Sequence, residues 1–313
     1  MKKPSILFMG TPDFAVPSLE ALVDSGYPLV AAVTQPDRPK GRGRKEEPPP
    51  VKTAAERLGV PVLQPLLIRD REFLDDFEQL SPDMVVLAAF GQILPKTIIE
   101  QPPFGCLNVH PSLLPKFRGA APINWTLISG ETRTGVSIIR MTEQVDAGDI
   151  LLQEEIEIGP EETAGELHDR LAALGARLIV EAVEGVIGGT VAPVKQDDSR
   201  ASFAPKLSRE NGHIDWGSDF REIVNLVRGL SPSPGAWSVL GGRALKIYRA
   251  WGSPSPGKEF RPGEIAGADE EGLKVAAKNG LVILKDLQFE GKKRMSATEF
   301  IRGFRIKPGM ALE

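Results

Sequence analysis

The sequence predicts an α/β protein: a doubly wound, mainly parallel sheet with a second, smaller β-barrel (OB-like) domain. Three observations carry this. From residue 6 to about 189, short apolar runs alternate with helical segments, as buried parallel strands and their crossover helices do. Past residue 209 the apolar runs are short, closely spaced and separated by turn residues, as in a small barrel. Between them, Val191 to Phe203 has neither period and reads as connecting chain. The expected organisation is a first domain over 1–189, a linker over 190–208 and a second domain over 209–313.

Taken in order, Ile6 to Met9 reads as a buried strand, Gly10-Thr11-Pro12 as a turn, and Phe14 to Ser25 as a helix closed by Gly26. Leu29 to Thr34 is the next strand, and residues 52–58 a short helix before Val60-Pro61-Val62-Leu63. Arg71 to Leu80 is helical in pattern; Met84 to Ala89 and Gly105 to Val109 are apolar strands. A helix is expected over 118–128, then strands over Val136 to Met141 and Ile150 to Ile158. Thr163 to Gly185 reads as a long helix with Thr163 as cap, Glu166 three residues on, and an apolar stripe suited to packing on a sheet. Asp219 to Arg228 is a short amphipathic helix. After Ser231-Pro232-Ser233-Pro234-Gly235, strands are expected over Trp237 to Leu240, Leu245 to Arg249, Gly263 to Ala266, Leu273 to Ala276 and Leu281 to Gln288.

A chain of 313 residues can bury a substantial core in two domains, and 41% hydrophobic residues suits an ordinary globular protein. The formal charge of −4 gives no nucleic-acid signal, but its distribution is uneven: residues 205–313 hold 18 Lys/Arg against 13 Asp/Glu, and residues 1–204 hold 20 against 29. A mildly basic second half is compatible with a polyanionic partner and equally with a solvated surface. The sole cysteine, Cys106, excludes an intrachain disulfide and a cysteine zinc cluster. The apolar run at residues 6–9 ends too soon for a signal peptide, and no segment reads as a membrane span, so a cytoplasmic protein is expected.

The most informative stretch is Asn108-Val109-His110-Pro111-Ser112-Leu113-Leu114-Pro115. It follows an apolar strand, at the kind of strand end where open α/β sheets place ligands. Asn offers an amide donor, and His can donate, accept or carry a proton; a lone His after a strand is more often structural than catalytic. Gly10-Thr11-Pro12 lacks the spacing of a dinucleotide or phosphate loop. Residues 36–50 carry five basic residues within eight positions, from Arg38 to Lys45, with interspersed glycines. They read as a mobile solvated loop, or as one that orders on phosphate. Ala88 to Pro95 is a strand end and turn whose backbone could hold a flat heterocycle. Asp146, in Asp146-Ala147-Gly148-Asp149, reads locally as a turn residue. Cys106 fits buried strand packing, and neither His168 nor His213 has metal spacing.

These words, with Phe8 to Ala15 and Lys116-Phe117-Arg118-Gly119-Ala120-Ala121-Pro122, together resemble the folate-dependent formyltransferases over nearly the whole chain. Within that family the likeness is greatest to members that formylate the methionine on initiator tRNA. The resemblance implies a catalytic group of Asn108, His110 and Asp146; a folate pocket drawing on Gln92, Ile93, Leu94, Ser112, Leu113, Leu114 and Pro115; and tRNA contacts from Lys40, Arg42, Arg44 and Lys45. It implies 10-formyltetrahydrofolate as formyl donor, no metal, no membrane, initiator methionyl-tRNA as acceptor, and a second domain that helps hold the tRNA. Pro111 stands where many relatives carry Gly. The rival readings are a formyltransferase for an amino sugar nucleotide and, in another class, a non-enzymatic RNA-binding protein, which would leave the trio without a purpose.

Overall fold

The computed structural model describes residues 3–40, 45–254, 260–304, 306 and 310–313. The chain forms two compact units. The first comprises Met1–Pro122, Thr134–Ile156 and His168–Pro205; the second comprises Ile123–Arg133, Glu157–Leu167 and Lys206–Glu313.

The strands up to residue 205 are β1 (Ile6–Gly10), β2 (Leu29–Val33), β3 (Arg38–Lys40), β4 (Lys45–Glu47), β5 (Val62–Leu63), β6 (Met84–Ala88), β7 (Cys106–His110), β8 (Arg118–Gly119), β9 (Arg133–Arg140), β10 (Ile150–Glu157) and β11 (Phe203–Ala204). Seven of them form one sheet in the order β10-β9-β7-β6-β1-β2-β5. The five from β5 to β7 are parallel, and β9 runs antiparallel to β7. The chain begins mid-sheet, runs out to β5, then returns to β6 on the far side of β1. The reversal falls between β1 and β6, where Gly10 is paired with Ala88. Ligands of open α/β sheets bind beyond the carboxyl ends of strands at such a switch point.

The helices over the same stretch are α1 (Val16–Asp24), α2 (Pro50–Arg57), α3 (Arg71–Leu80), α4 (Lys96–Glu100), α5 (Pro122–Ile128) and α6 (Ala164–Gly188). Leu7, Met9, Val85, Leu87 and Cys106 share one buried cluster with Phe73 and Phe77 of α3 and Ile98 and Ile99 of α4. Phe73 and Phe77 are four residues apart, hence on one helix face. Each such burial contributes about 1.5–3 kcal/mol, and α3 then ends on Ser81 in the left-handed conformation. Val109 projects to the other sheet face, where Gly175 of α6 meets it so closely that an added Cβ would lie 2.7 Å from its Cγ1. Helices therefore cover both faces of the sheet, as the sequence led us to expect.

Local period misjudged two segments. The helix expected over 118–128 begins only at Pro122, because Arg118 and Gly119 pair in parallel with Phe203 and Ala204. The loop expected over 36–50 contains an antiparallel hairpin, with Arg38 opposite Glu47 and Pro39 opposite Glu46. Its base is tied down by Asp37, which accepts from Lys52 Nζ at 2.8 Å and Gln64 Nε2 at 2.7 Å. The cap at Thr163 forms as expected: its N and Oγ1 donate to Glu166 Oε2 at 2.9 and 2.8 Å.

The second unit contains α7 (Phe220–Gly229), β12 (Ala236–Leu240), β13 (Arg243–Pro254), β14 (Ile265–Asp269), β15 (Gly272–Ala277), β16 (Gly280–Phe289), β17 (Met295–Ser296) and α8 (Ala297–Gly303). Five strands form an antiparallel sheet in the order β12-β13-β16-β15-β14, and β17 adds to β16. Alternate residues Leu245 and Ile247, Leu273 and Val275, and Val282 and Leu284 are buried with Phe220, Ile223 and Val227 of α7 and Phe300 of α8. Residues 310–313 bond to both outer strands: Glu313 and Val239 exchange N–H···O bonds of 2.9 Å, and Ile265 N donates to Met310 O at 2.7 Å. Helix α8, which the sequence reading did not foresee, starts with a capping box of Ser296 and Glu299.

Candidate active site

Asn108 and His110 are the third and fifth residues of β7 and, two apart, they share its face. Both are buried, at 6% and 3% exposure, and so is Asp146 at 7%. The turn after β9 brings Asp146 back over the end of β7. Its Oδ1 lies 3.4 Å from Asn108 Nδ2, and its Oδ2 lies 3.6 Å from His110 Nδ1. Asp146, distant in sequence, thus meets Asn108 and His110 at one strand end.

His110 and Asp146 are each held from outside the trio. His110 Nε2 lies 3.1 Å from the Phe117 carbonyl, which can only accept, so this nitrogen is assigned the proton. Nδ1 is left as the ring nitrogen facing Asp146. Asp146 adopts the left-handed conformation at φ +51° and takes the Gly119 N–H on Oδ2 at 2.9 Å. Two glycines make this possible. At Gly148 an added Cβ would sit 1.8 Å from the Arg140 carbonyl oxygen. At Gly119, φ is +127° and an added Cβ would meet the Ala204 carbonyl at 2.7 Å. The loop between β7 and β8 is pinned as well: Ser137 Oγ donates to Ser112 O at 2.6 Å and accepts from Leu114 N at 3.1 Å, and Ser202 Oγ accepts from Phe117 N at 2.9 Å.

The remaining expected residues divide by exposure. After β6 the chain turns through Ala89 and Gly91, both with positive φ, and leaves the Ile93 side chain 80% exposed. Gln92 spends its amide inside the protein, accepting from Ile68 N at 3.1 Å and donating to Leu66 O at 3.2 Å. Leu94, Ser112 and Leu114 are buried, and Ser112 Oγ donates to Lys116 O at 2.6 Å. The side chains of this set open to a ligand are therefore Ile93 and, in part, Leu113 and Pro115; the others can offer backbone. Arg42 and Arg44 lie outside the described residues, while Lys40 is the last residue of β3 and Lys45 the first of β4. Cys106 is buried beside the site, and burial pushes its thiol up to about 12, so it stays protonated at neutral pH. His168 is engaged with Asp169 and Asp13, and His213 lies against Trp237. Among the described residues no group of three or more His, Cys, Asp or Glu is arranged to hold a metal ion, and no helix is long and apolar enough to cross a membrane.

The sequence reading missed Gln196, Asp198, Ser202 and the Phe117 carbonyl. A backbone carbonyl carries no side-chain signal, and polar side chains 48 to 85 residues from their partners leave no local one, because hydrogen bonds of that span have no period.

Residues 2–183 match the formyl transferase family model, and residues 206–305 match the formyl transferase C-terminal domain model. Fold and site thus define a formyltransferase. The chain is 55% identical to the methionyl-tRNA formyltransferase of Syntrophus aciditrophicus over 100% of both chains. It is 46% identical to that of Bacillus velezensis over 98% of this chain and 97% of the relative. The chain belongs to the methionyl-tRNA formyltransferase family. Among solved structures, the fold resembles HypX from Aquifex aeolicus in complex with tetrahydrofolic acid, with TM-score 0.63 and 17% identity over 96% of this chain and 47% of that one. It also resembles an N-formyltransferase from Helicobacter canadensis in complex with folinic acid and dTDP-3-aminofucose, with TM-score 0.67 and 19% identity over 89% and 98%.

Proposed function

We propose that this enzyme transfers a formyl group from 10-formyltetrahydrofolate to the α-amine of methionine esterified to initiator tRNA. Full-length identity of 46–55% to enzymes of that name supports the reading, and the buried group Asn108, His110 and Asp146 is the observation that carries its chemistry. The attacking α-amine must be neutral, which is accessible near neutral pH because such groups titrate at about 8. Asn108 keeps one Nδ2 hydrogen beyond its contact with Asp146, and it donates this to the formyl oxygen as negative charge develops there. His110, fixed at Nε2 by Phe117, presents Nδ1 to accept the proton that the amine loses as its new C–N bond forms. The same nitrogen returns a proton to N10 as the old C–N bond breaks. Asp146 offsets the positive charge on the imidazole during that transfer. No covalent enzyme intermediate is needed, and Cys106 remains a packed thiol.

The exposed Ile93 and the turn through Ala89 and Gly91 fit a flat heterocycle, and the backbone of 112–115 adds further contacts. The hairpin of β3 and β4, with Lys40, Arg42, Arg44 and Lys45, takes the phosphates of the acceptor end. Residues 209–313 form an OB-like barrel, supported by the bonds of 310–313 to both outer strands, and add backbone affinity for tRNA. The enzyme works in the cytoplasm, where its acceptor is made. The test offers purified protein 10-formyltetrahydrofolate with either methionyl-tRNA or a dTDP-amino sugar. Formyl appears on methionyl-tRNA; transfer to the sugar alone would replace this reading.

A further inference from the structure

The segment between the two matched domains, residues 184–205, lies outside both family models, yet it supplies the brace beneath the site carboxylate. Gln196 is half-buried and uses its whole amide. Its Nε2 donates to Asp146 O at 2.8 Å and to Gly148 O at 2.7 Å, while its Oε1 accepts from Arg118 Nε at 3.1 Å and Nη2 at 2.8 Å. Arg118 is 7% exposed and also donates to Asp198 Oδ1 at 2.7 Å. The residue after Arg118 gives its N–H to Asp146 Oδ2. Asp146 is thus gripped at both ends by one connected unit: main chain by Gln196, carboxylate by Gly119.

We infer that Gln196 is a positioning residue for Asp146, held in place by Arg118. The physical reason is the φ of +51° at Asp146, an uncommon conformation for a residue with a Cβ, which persists only where its surroundings over-determine it. Two N–H donors converging on carbonyls 146 and 148 fix the turn that aims the carboxylate at His110. Arg118 spends its own Nε and Nη2 donors on Gln196 and Asp198. Only an amide both donates to the two carbonyls and accepts from a guanidinium. The inference rests on the catalytic role proposed above for Asp146.

The test is a double-mutant cycle. Gln196→Glu keeps the acceptor for Arg118 and removes both donors; Gln196→Met removes everything. Each lowers kcat for methionyl-tRNA by about 10-fold, since displacement of a catalytic group by an ångström suffices for that, and each leaves KM for the folate within about twofold. In an Asp146→Asn background the same changes cost less than about twofold more, because the group they position has already lost its charge. A merely structural glutamine would give equal losses in both backgrounds, and that result, or full activity of Gln196→Glu, would overturn the inference. A crystal structure of the Glu variant reads the point without substrate: Asp146 leaves its place beside His110, and an unmoved Asp146 refutes it. Absence of turnover in the parent enzyme would instead count against the proposed reaction.

Discussion

The strand-end site and the basic hairpin are built on opposite plans. Asn108, His110 and Asp146 are buried; His110 is tied to the Phe117 carbonyl, and Asp146 to Asn108, to Gly119 on β8 and to Gln196. The hairpin is fixed at its base by Asp37, Lys52 and Gln64, and Arg38 donates to Gln35 beside that base. A group that stabilises charge at a reacting carbonyl loses most of its value if it must reorganise, so it is worth burying and bracing. A group that meets a polyanion must stay in water until the partner arrives, or it would forgo its hydration with nothing to replace it. Substitutions at the two places should therefore fail in different ways.

The largest effect belongs to the buried group. Asn108→Ala and His110→Ala are expected to keep the fold and to lose about 10²- to 10³-fold in turnover, the usual consequence of removing a donor to a developing oxyanion. Thermal melts alongside kinetics check both halves, and near-parental turnover in either folded variant removes that residue from the mechanism. Asp146→Asn should lose about 10²-fold, the lower end for a group aiding proton transfer, with little change in folate binding.

At the hairpin, replacing Lys40, Arg42, Arg44 and Lys45 together by Ser should weaken tRNA binding and leave folate binding alone. The slope of log affinity against log salt should become shallower by about 0.7–0.9 for each phosphate that the variant no longer neutralises. Titrations of tRNA at several salt concentrations measure this; an unchanged slope would move tRNA recognition elsewhere on the molecule.

The smallest effect concerns the anchor. The Gln64 hydrogen bond, then Lys52, hold the Asp37 carboxyl below the usual carboxylate value of 3.8. A carboxylate whose folded value is depressed supports the structure fully above its unfolded value and loses that support as pH falls through the folded one. The anchor is therefore intact at neutral pH and fails only below about pH 3.8, near the ordinary aspartate range. Lys52→Met should move the Asp37 titration upward, toward but not reaching 3.8 because Gln64 remains. NMR titration of the side-chain carboxyl reads this directly, and no upward movement would mean that the lysine is idle.

Much of the first unit was legible in the sequence. Short continuous apolar runs such as Met84–Ala88, bounded by turn residues, read as strands buried on both faces, and the apolar period of α6 with its Thr163–Glu166 cap marks a helix that packs on a sheet. Asn108 and His110 were visible because they gather polar groups at the end of an apolar run, where open α/β sheets place ligands. The functional family was also readable, since the order of its motifs survives in the chain.

What the tertiary structure decided is whatever depends on partners distant in sequence. Arg118 and Gly119 were expected as the turn into a helix over 118–128, and became a short strand because Phe203 and Ala204 offered a ladder. Asp146 resembled any turn aspartate until folding set it 3.6 Å from His110. Gln196 carries no local mark at all; four hydrogen bonds to residues 48 to 78 positions away give it its place. Period and propensity are properties of neighbours along the chain and can be read there. Hydrogen bonds between distant segments exist only once the sheet has brought their ends together, and those are the bonds that shape the site.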